Sequence, residues 1–171
     1  MNKFIRCAAF ALMLFSAPGS AQDYEAGVTA FGAGDYATAG REWMPLAEQG
    51  NAMAQSSLGD LYRLGLGVPL SYTEAVKWYR LAAEQGGGPP QFMLGVMHQN
   101  GYGVPQDFVT AHMWFNISAT NGTGYAAVER DNVKAMMTPA DISEAQRRAS
   151  ACMASNYQDC DPARGWWFWP F

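Results

Sequence analysis

Leu58-Gly59-Asp60-Leu61-Tyr62-Arg63-Leu64-Gly65-Leu66-Gly67-Val68-Pro69 recurs as Leu94-Gly95-Val96-Met97-His98-Gln99-Asn100-Gly101-Tyr102-Gly103-Val104-Pro105. The interval is 36 residues at every position, and it continues without a gap. Ala75 pairs with Ala111, Trp78 with Trp114, Tyr79 with Phe115, Ala83 with Ala119 and Gly86 with Gly122. A constant interval of this size marks a chain built from stacked supersecondary units. Carried backwards, it finds a weaker unit in Ala39, Trp43, Ala47, Glu48, Gln49 and Gly50, with Gly34 to Ala39 as its turn and helix start. Carried forwards it fades, and residues 124–155 read as a closing helical pair of different sequence.

Each unit reads as helix, turn, helix. Ala54, Leu58, Leu61 and Tyr62 stand at three- and four-residue spacing, which makes one apolar face. Ala75, Trp78, Tyr79, Ala82 and Ala83 do the same in the second helix. These periodic aromatics, with Trp114 and Phe115, belong to the core rather than to a ligand-stacking box. Gly59 and Gly95 interrupt the first helices at about 1 kcal/mol each relative to alanine, for which close approach of a neighbouring helix backbone is the expected compensation. Gly65 and Gly67 end the first helix, and Pro69 and Pro105 stop it from continuing. Asp107 is placed to start a second helix, and Thr138-Pro139 is an N-cap followed by proline. Pro45 predicts a kink or a shortened helix. No alternating strand pattern of useful length occurs. The fold expected is all-α, a short solenoid of antiparallel helix hairpins with about three units and a cap.

The first 21 residues have the form of a secretory signal peptide: Lys3 and Arg6, then the apolar run Ala8 to Phe15, then the small residues Gly19-Ser20-Ala21. The run is shorter than the roughly 20 residues a membrane span needs. The expected compartment is therefore the periplasm or the cell exterior. Domain limits follow: residues 1–21 signal peptide, 23–160 solenoid with its cap, 161–171 aromatic tail. Of three cysteines, Cys7 falls in the signal segment, leaving Cys152 and Cys160. In an oxidising compartment these two are expected to form a disulfide. On one continuous helix their Cα atoms would stand about 12 Å apart, and a disulfide tolerates less than about 7 Å. The last helix must therefore end between them, with Asn156 as the residue suited to the left-handed turn.

At these positions the chain resembles the Sel-one-like repeat, a relative of the tetratricopeptide repeat. The resemblance is carried by Leu58, Gly59, Tyr62, Gly65, Gly67, Val68, Ala75, Trp78, Tyr79, Ala82, Ala83, Glu84, Gln85 and Gly86. The next unit departs from it at His98 and at Thr120-Asn121. Met137 to Arg148 resembles the end cap of bacterial members. The resemblance covers residues 23 to about 160 and implies a right-handed solenoid acting as an exported adaptor for another protein. Cysteine-rich secreted relatives that bind or hydrolyse β-lactams carry a cysteine pair in nearly every repeat, whereas this chain has one pair.

The formal net charge of -4 argues against nucleic acid as a partner. No nucleophile elbow, phosphate-binding loop or H-E-x-x-H motif is present. His98 and His112, the two histidines, lack the carboxylates or cysteines that would complete a metal site. Cys152 and Cys160 lack the C-x-x-C spacing of a redox pair. No catalytic residue, cofactor or metal is therefore assigned. A protein partner is expected on the surface lined by the first helices, where Gln55, Ser56, Asp60, Arg63, Gln91 and Gln99 are the outward candidates. The second candidate is the tail, with Trp166, Trp167, Phe168, Trp169 and Phe171. Three readings of the tail stay open: folding back over an apolar groove, insertion at a membrane surface, or anchoring a partner. The alternatives to a scaffold are a secreted enzyme acting on a cell-wall compound or β-lactam, and a membrane-surface protein held by the tail.

Overall fold

The turn signals that recur at the repeat interval become helix ends. A computed structural model describes residues 20–160, with side chains from Tyr24 onward. The segment 1–19 and the aromatic tail 161–171 lie outside the described residues. The chain forms α1 (Ser20–Gly32), α2 (Tyr36–Glu48), α3 (Ala52–Leu64), α4 (Tyr72–Ala83), α5 (Gly88–Asn100), α6 (Phe108–Thr120), α7 (Ala126–Lys134) and α8 (Pro139–Ala154). Among the described residues there is no strand.

Local chemistry sets these boundaries. Asn51, Ser71 and Asp107 cap α3, α4 and α6 by accepting backbone N–H bonds from the first turn. Thr138 and Asp141 form a reciprocal capping box at the start of α8. Gly65 and Gly101 end α3 and α5 in the left-handed conformation. Gly67 and Gly103 have a different task. A Cβ on Gly67 would meet the backbone of Tyr36 and Ala37 within 2.4 Å, and one on Gly103 would stand 2.5 Å from the backbone of Tyr72. Each loop thus presses onto the start of the preceding unit's second helix, and only a glycine fits.

Sequence neighbours pack as hairpins, α1 on α2, α3 on α4 and α5 on α6, and α2·α3 and α4·α5 contacts stack one hairpin on the next. The cap helices α7 and α8 both pack on α6. Trp43, Leu46, Leu58 and Leu61 form the core of the first junction. Tyr79, Leu94, Met97, Met113, Trp114, Ile117 and Cys152 form that of the second and of the cap. Tyr79 and Phe115 are fully buried, Trp114 nearly so, and Trp78 half-buried.

One expectation needs correction. The space beside Gly59 and Gly95 is taken by an aromatic ring of the paired helix, not by its backbone. A Cβ on Gly59 would stand 2.5 Å from Cε1 of Tyr79, and one on Gly95 the same distance from Cε1 of Phe115. Gly27 meets Trp43 in the same manner, so the weak first unit keeps the device although its loop is shorter. Of the kink or shortening expected at Pro45, shortening does not occur, since α2 runs through it for 13 residues. The carbonyl of Arg41, which the proline ring leaves without its helical donor, belongs to an exposed residue where water can serve it.

Cys152 and Cys160 are joined, with Cα atoms 4.4 Å apart. As the spacing argument required, α8 stops at Ala154. Asn156 and Tyr157 reverse the chain with φ of 53° and 66°.

Candidate functional site

The first helices of the two repeat units, α3 and α5, carry all six solenoid candidates, and the structure divides them. Gln55 is 4 % exposed and Gln91 is fully buried, so neither faces outward. Gln55 Nε2 donates to the Ala47 carbonyl at 3.0 Å, and Gln85 Nε2 donates to Gln55 Oε1 at 2.8 Å. One repeat later Gln91 Nε2 donates to the Ala83 carbonyl at 3.1 Å, and Asn121 Nδ2 donates to Gln91 Oε1 at 2.8 Å. These amides give a second donor to carbonyls at the end of the preceding hairpin, which already accept from the Gly50 and Gly86 N–H groups, and they bury their own polar atoms with partners. They are repeated fasteners between units, and their polarity serves the stack.

Ser56, Asp60, Arg63 and Gln99 are half-buried on the same two helices. Asp60 and Arg63 are not loose charges. Tyr79 Oη donates to Asp60 Oδ1 at 2.7 Å, Arg63 Nε donates to Tyr79 Oη at 3.0 Å, and Arg63 Nη2 donates to Asp60 Oδ1 at 3.0 Å. Burial, then the Asp60 carboxylate, push the Tyr79 hydroxyl far above its ordinary range, so it stays a proton donor. Burial works against the Arg63 charge, but its bonds to Tyr79 and Asp60 outweigh that and raise its pKa. The next unit has Val96, Gln99 and Phe115 at the three corresponding positions. The hydroxyl and both of its partners change together, so this polar triad marks one unit only.

His98 and His112 are not drawn into a common metal site. Among the described residues no group of three or more His, Cys, Asp or Glu could hold a metal ion. His112 instead lies at a pocket that the sequence candidates miss. His112 and Asn116 from α6, Arg130, Asp131 and Lys134 from α7, and Gln146 from α8 line a cavity of about 260 Å³. His112 is 2 % exposed, and its Nδ1 is buried without a hydrogen-bond partner. The signal was present in the repeat interval, which places Gly40, Val76 and His112 at one equivalent position. The five remaining lining residues could not be grouped, because they come from three helices, two of them outside the repeat. The disulfide pair sits in the cap core, with Cys152 fully buried. Among the described residues no helix is long and apolar enough to cross a membrane. The tail candidates Trp166, Trp167, Phe168, Trp169 and Phe171 lie outside the described residues.

Stacked antiparallel hairpins, joined by repeated amide fasteners and closed by a helical cap, define an α-helical repeat solenoid. Two of its units are Sel1 repeats: that family matches residues 52–87 and 91–123. Among solved structures, the chain is similar to a protective antigen present in uropathogenic Escherichia coli strains that displays an SLR fold. The TM-score is 0.77 at 24% identity, over 81% of this chain and 32% of that one. It is also similar to a Sel1 repeat protein from Oxalobacter formigenes, with a TM-score of 0.59 at 33% identity, over 63% of this chain and 43% of that one. The chain thus spans less than half the length of either. No curated protein matches it. Sel1 repeat proteins are generally protein-interaction scaffolds.

Proposed function

We propose that the protein is an exported scaffold that binds another protein in the cell envelope and performs no catalysis. The observation that carries this reading is the placement of Ser56, Asp60, Arg63 and Gln99 on the first helices of two stacked Sel1 units. A solenoid of this kind offers an extended surface across its units. The Asp60–Arg63–Tyr79 triad supplies charge whose side-chain freedom is already lost, so a partner would meet a pre-organised feature at small further entropic cost. Export is supported by the signal-like character of residues 1–21, and the periplasm or cell exterior is the compartment proposed. The tail from Trp166 to Phe171 is a second candidate contact, since clustered aromatics dominate binding hot spots.

The test is a crosslinking capture from the native cell envelope, comparing the unaltered protein with three variants. Asp60→Lys combined with Arg63→Glu reverses the charged pair. Ser56→Arg combined with Gln99→Glu alters the same face without touching the triad. The third variant lacks Trp166 to Phe171. A partner captured by the unaltered protein and lost in both surface variants supports the reading. A partner lost only with the tail moves the contact to the aromatics. Retention by all three variants, or turnover of nitrocefin by the purified protein, overturns it.

A further inference from the structure

Gly40, Val76 and His112 occupy one position of the repeat. In the middle unit Val76 is a core residue, 5 % exposed. In the last unit an imidazole takes that place, is 2 % exposed, and leaves Nδ1 buried without a hydrogen-bond partner. A buried polar atom with no partner opposes folding, and an apolar residue satisfies the same position one unit earlier. The stack therefore gives no reason for histidine here.

What lies beside it does. The cavity of about 260 Å³ is lined by His112, Asn116, Arg130, Asp131, Lys134 and Gln146. Its members are graded by depth: His112 is buried, Asn116 and Arg130 are half-buried, and Asp131, Lys134 and Gln146 are exposed at the rim. Arg130 is oriented by its neighbours, donating from Nε to Asp131 Oδ1 at 2.9 Å and from Nη1 to Asn116 Oδ1 at 3.4 Å. The fixed charges are those of Arg130 and Lys134 against Asp131, which leaves one positive charge over. Burial, then Arg130 and Lys134, hold the His112 pKa below its ordinary value against the weaker opposing pull of Asp131. The imidazole is therefore neutral at neutral pH, with one ring nitrogen a donor and the other an acceptor, and it adds no charge to the pocket.

We propose that this pocket, between the last repeat unit and the cap, binds a small polar ligand bearing one carboxylate. Arg130 and Lys134 hold the carboxylate, and the His112 ring forms the pocket floor. One negative charge balances the surplus of the site. A dianion would leave excess negative charge beside Asp131. The site is independent of the surface carrying Ser56, Asp60, Arg63 and Gln99, and it does not rest on the scaffold reading.

The test uses the full chain labelled with ¹⁵N, titrated with N-acetylglycine, with its neutral analogue N-acetylglycinamide, and with inorganic phosphate. The expected result is a saturable shift of the His112 imidazole and Arg130 Nε resonances with N-acetylglycine and none with the amide. Lys134→Gln, at an exposed residue whose loss leaves the core intact, should weaken binding about tenfold. Asp131→Asn, which removes the like charge, should tighten it. His112→Val restores the residue of the preceding unit and should also weaken binding, followed at Arg130. No saturable shift, an equal response to the amide, or tighter binding of phosphate than of N-acetylglycine would each overturn the proposal.

Discussion

Glycine inside a helix usually costs stability, yet Gly59 and Gly95 each sit where a side chain would overlap an aromatic ring. The ordinary gain from Gly→Ala in a helix is about 1 kcal/mol, whereas overpacking a core costs about 1–3 kcal/mol. A methyl group 2.5 Å from the Tyr79 ring belongs to the second regime. Gly59→Ala is therefore expected to lower unfolding free energy by about 2 kcal/mol, measured by urea denaturation. Gly32→Ala is the control, because nothing lies within 4 Å of its Cβ position, and it should leave stability unchanged or raise it. His112 gives a second prediction at this scale. Its folded pKa is depressed by burial, then by Arg130 and Lys134, with Asp131 opposing. The unfolded state therefore takes up a proton first, so this contribution is complete above the ordinary histidine pKa and is lost as pH falls below it. His112→Val should abolish that part of the acid destabilisation. At neutral pH it should raise stability by about 1 kcal/mol through removal of the unpaired Nδ1. Unfolding curves across pH 5 to pH 8 test both, and an unchanged pH slope in the variant would refute the assignment.

At the scale of the element, the helices were legible because the repeat prints each boundary twice. Asp107, Thr138 and the Asn156 turn are local chemistry, and local chemistry can be read in one dimension. Gln55 and Gln91 were misplaced for the opposite reason. Each donates to a carbonyl eight residues back in the preceding hairpin, and polarity in a sequence does not say which way a side chain points. The ring beside Gly59 belongs to Tyr79, one helix later, so the gap was legible but its occupant was not. The cap offers the clearest element-scale test. Tyr157 Oη donates to Asn121 Oδ1 at 3.0 Å, so the reversal that closes the disulfide also ties α8 to the last repeat unit. Replacing Cys152 and Cys160 with alanine should cost about 2–3 kcal/mol, by the loop-closure argument for a short ring. The loss should appear as faster amide exchange in α8 while α3 keeps its protection. Equal loosening of both helices would show that the bond acts on the whole chain and not on its cap.

At the scale of the molecule, the pocket and the polar triad show how a repeat scaffold acquires individuality. Both arise where one copy departs from its neighbour, at His112 against Val76 and at Asp60, Arg63 and Tyr79 against Val96, Gln99 and Phe115. The interval locates such departures in sequence, but the partners from α7 and α8 enter only through packing. The same architecture governs unfolding. Each hairpin packs mainly on its neighbours. α1 packs chiefly on α2, with one hydrogen bond between Tyr24 and Ser57 of α3, while α6 packs on α5, α7 and α8. In a nearest-neighbour stack, end units are held by fewer interfaces and should open first. Native-state hydrogen exchange should therefore find α1 least protected and α4 to α6 most protected. Leu58 is fully buried in the first junction, and Leu58→Ala should cost about 2–5 kcal/mol. That cost should fall on α2, α3 and α4, leaving α6 and α8 close to their original protection, because the second junction has its own core around Leu94, Met97 and Trp114. If all helices lost protection equally, the array would be unfolding as one unit, and the coupling between junctions would have to exceed the stability of any single hairpin.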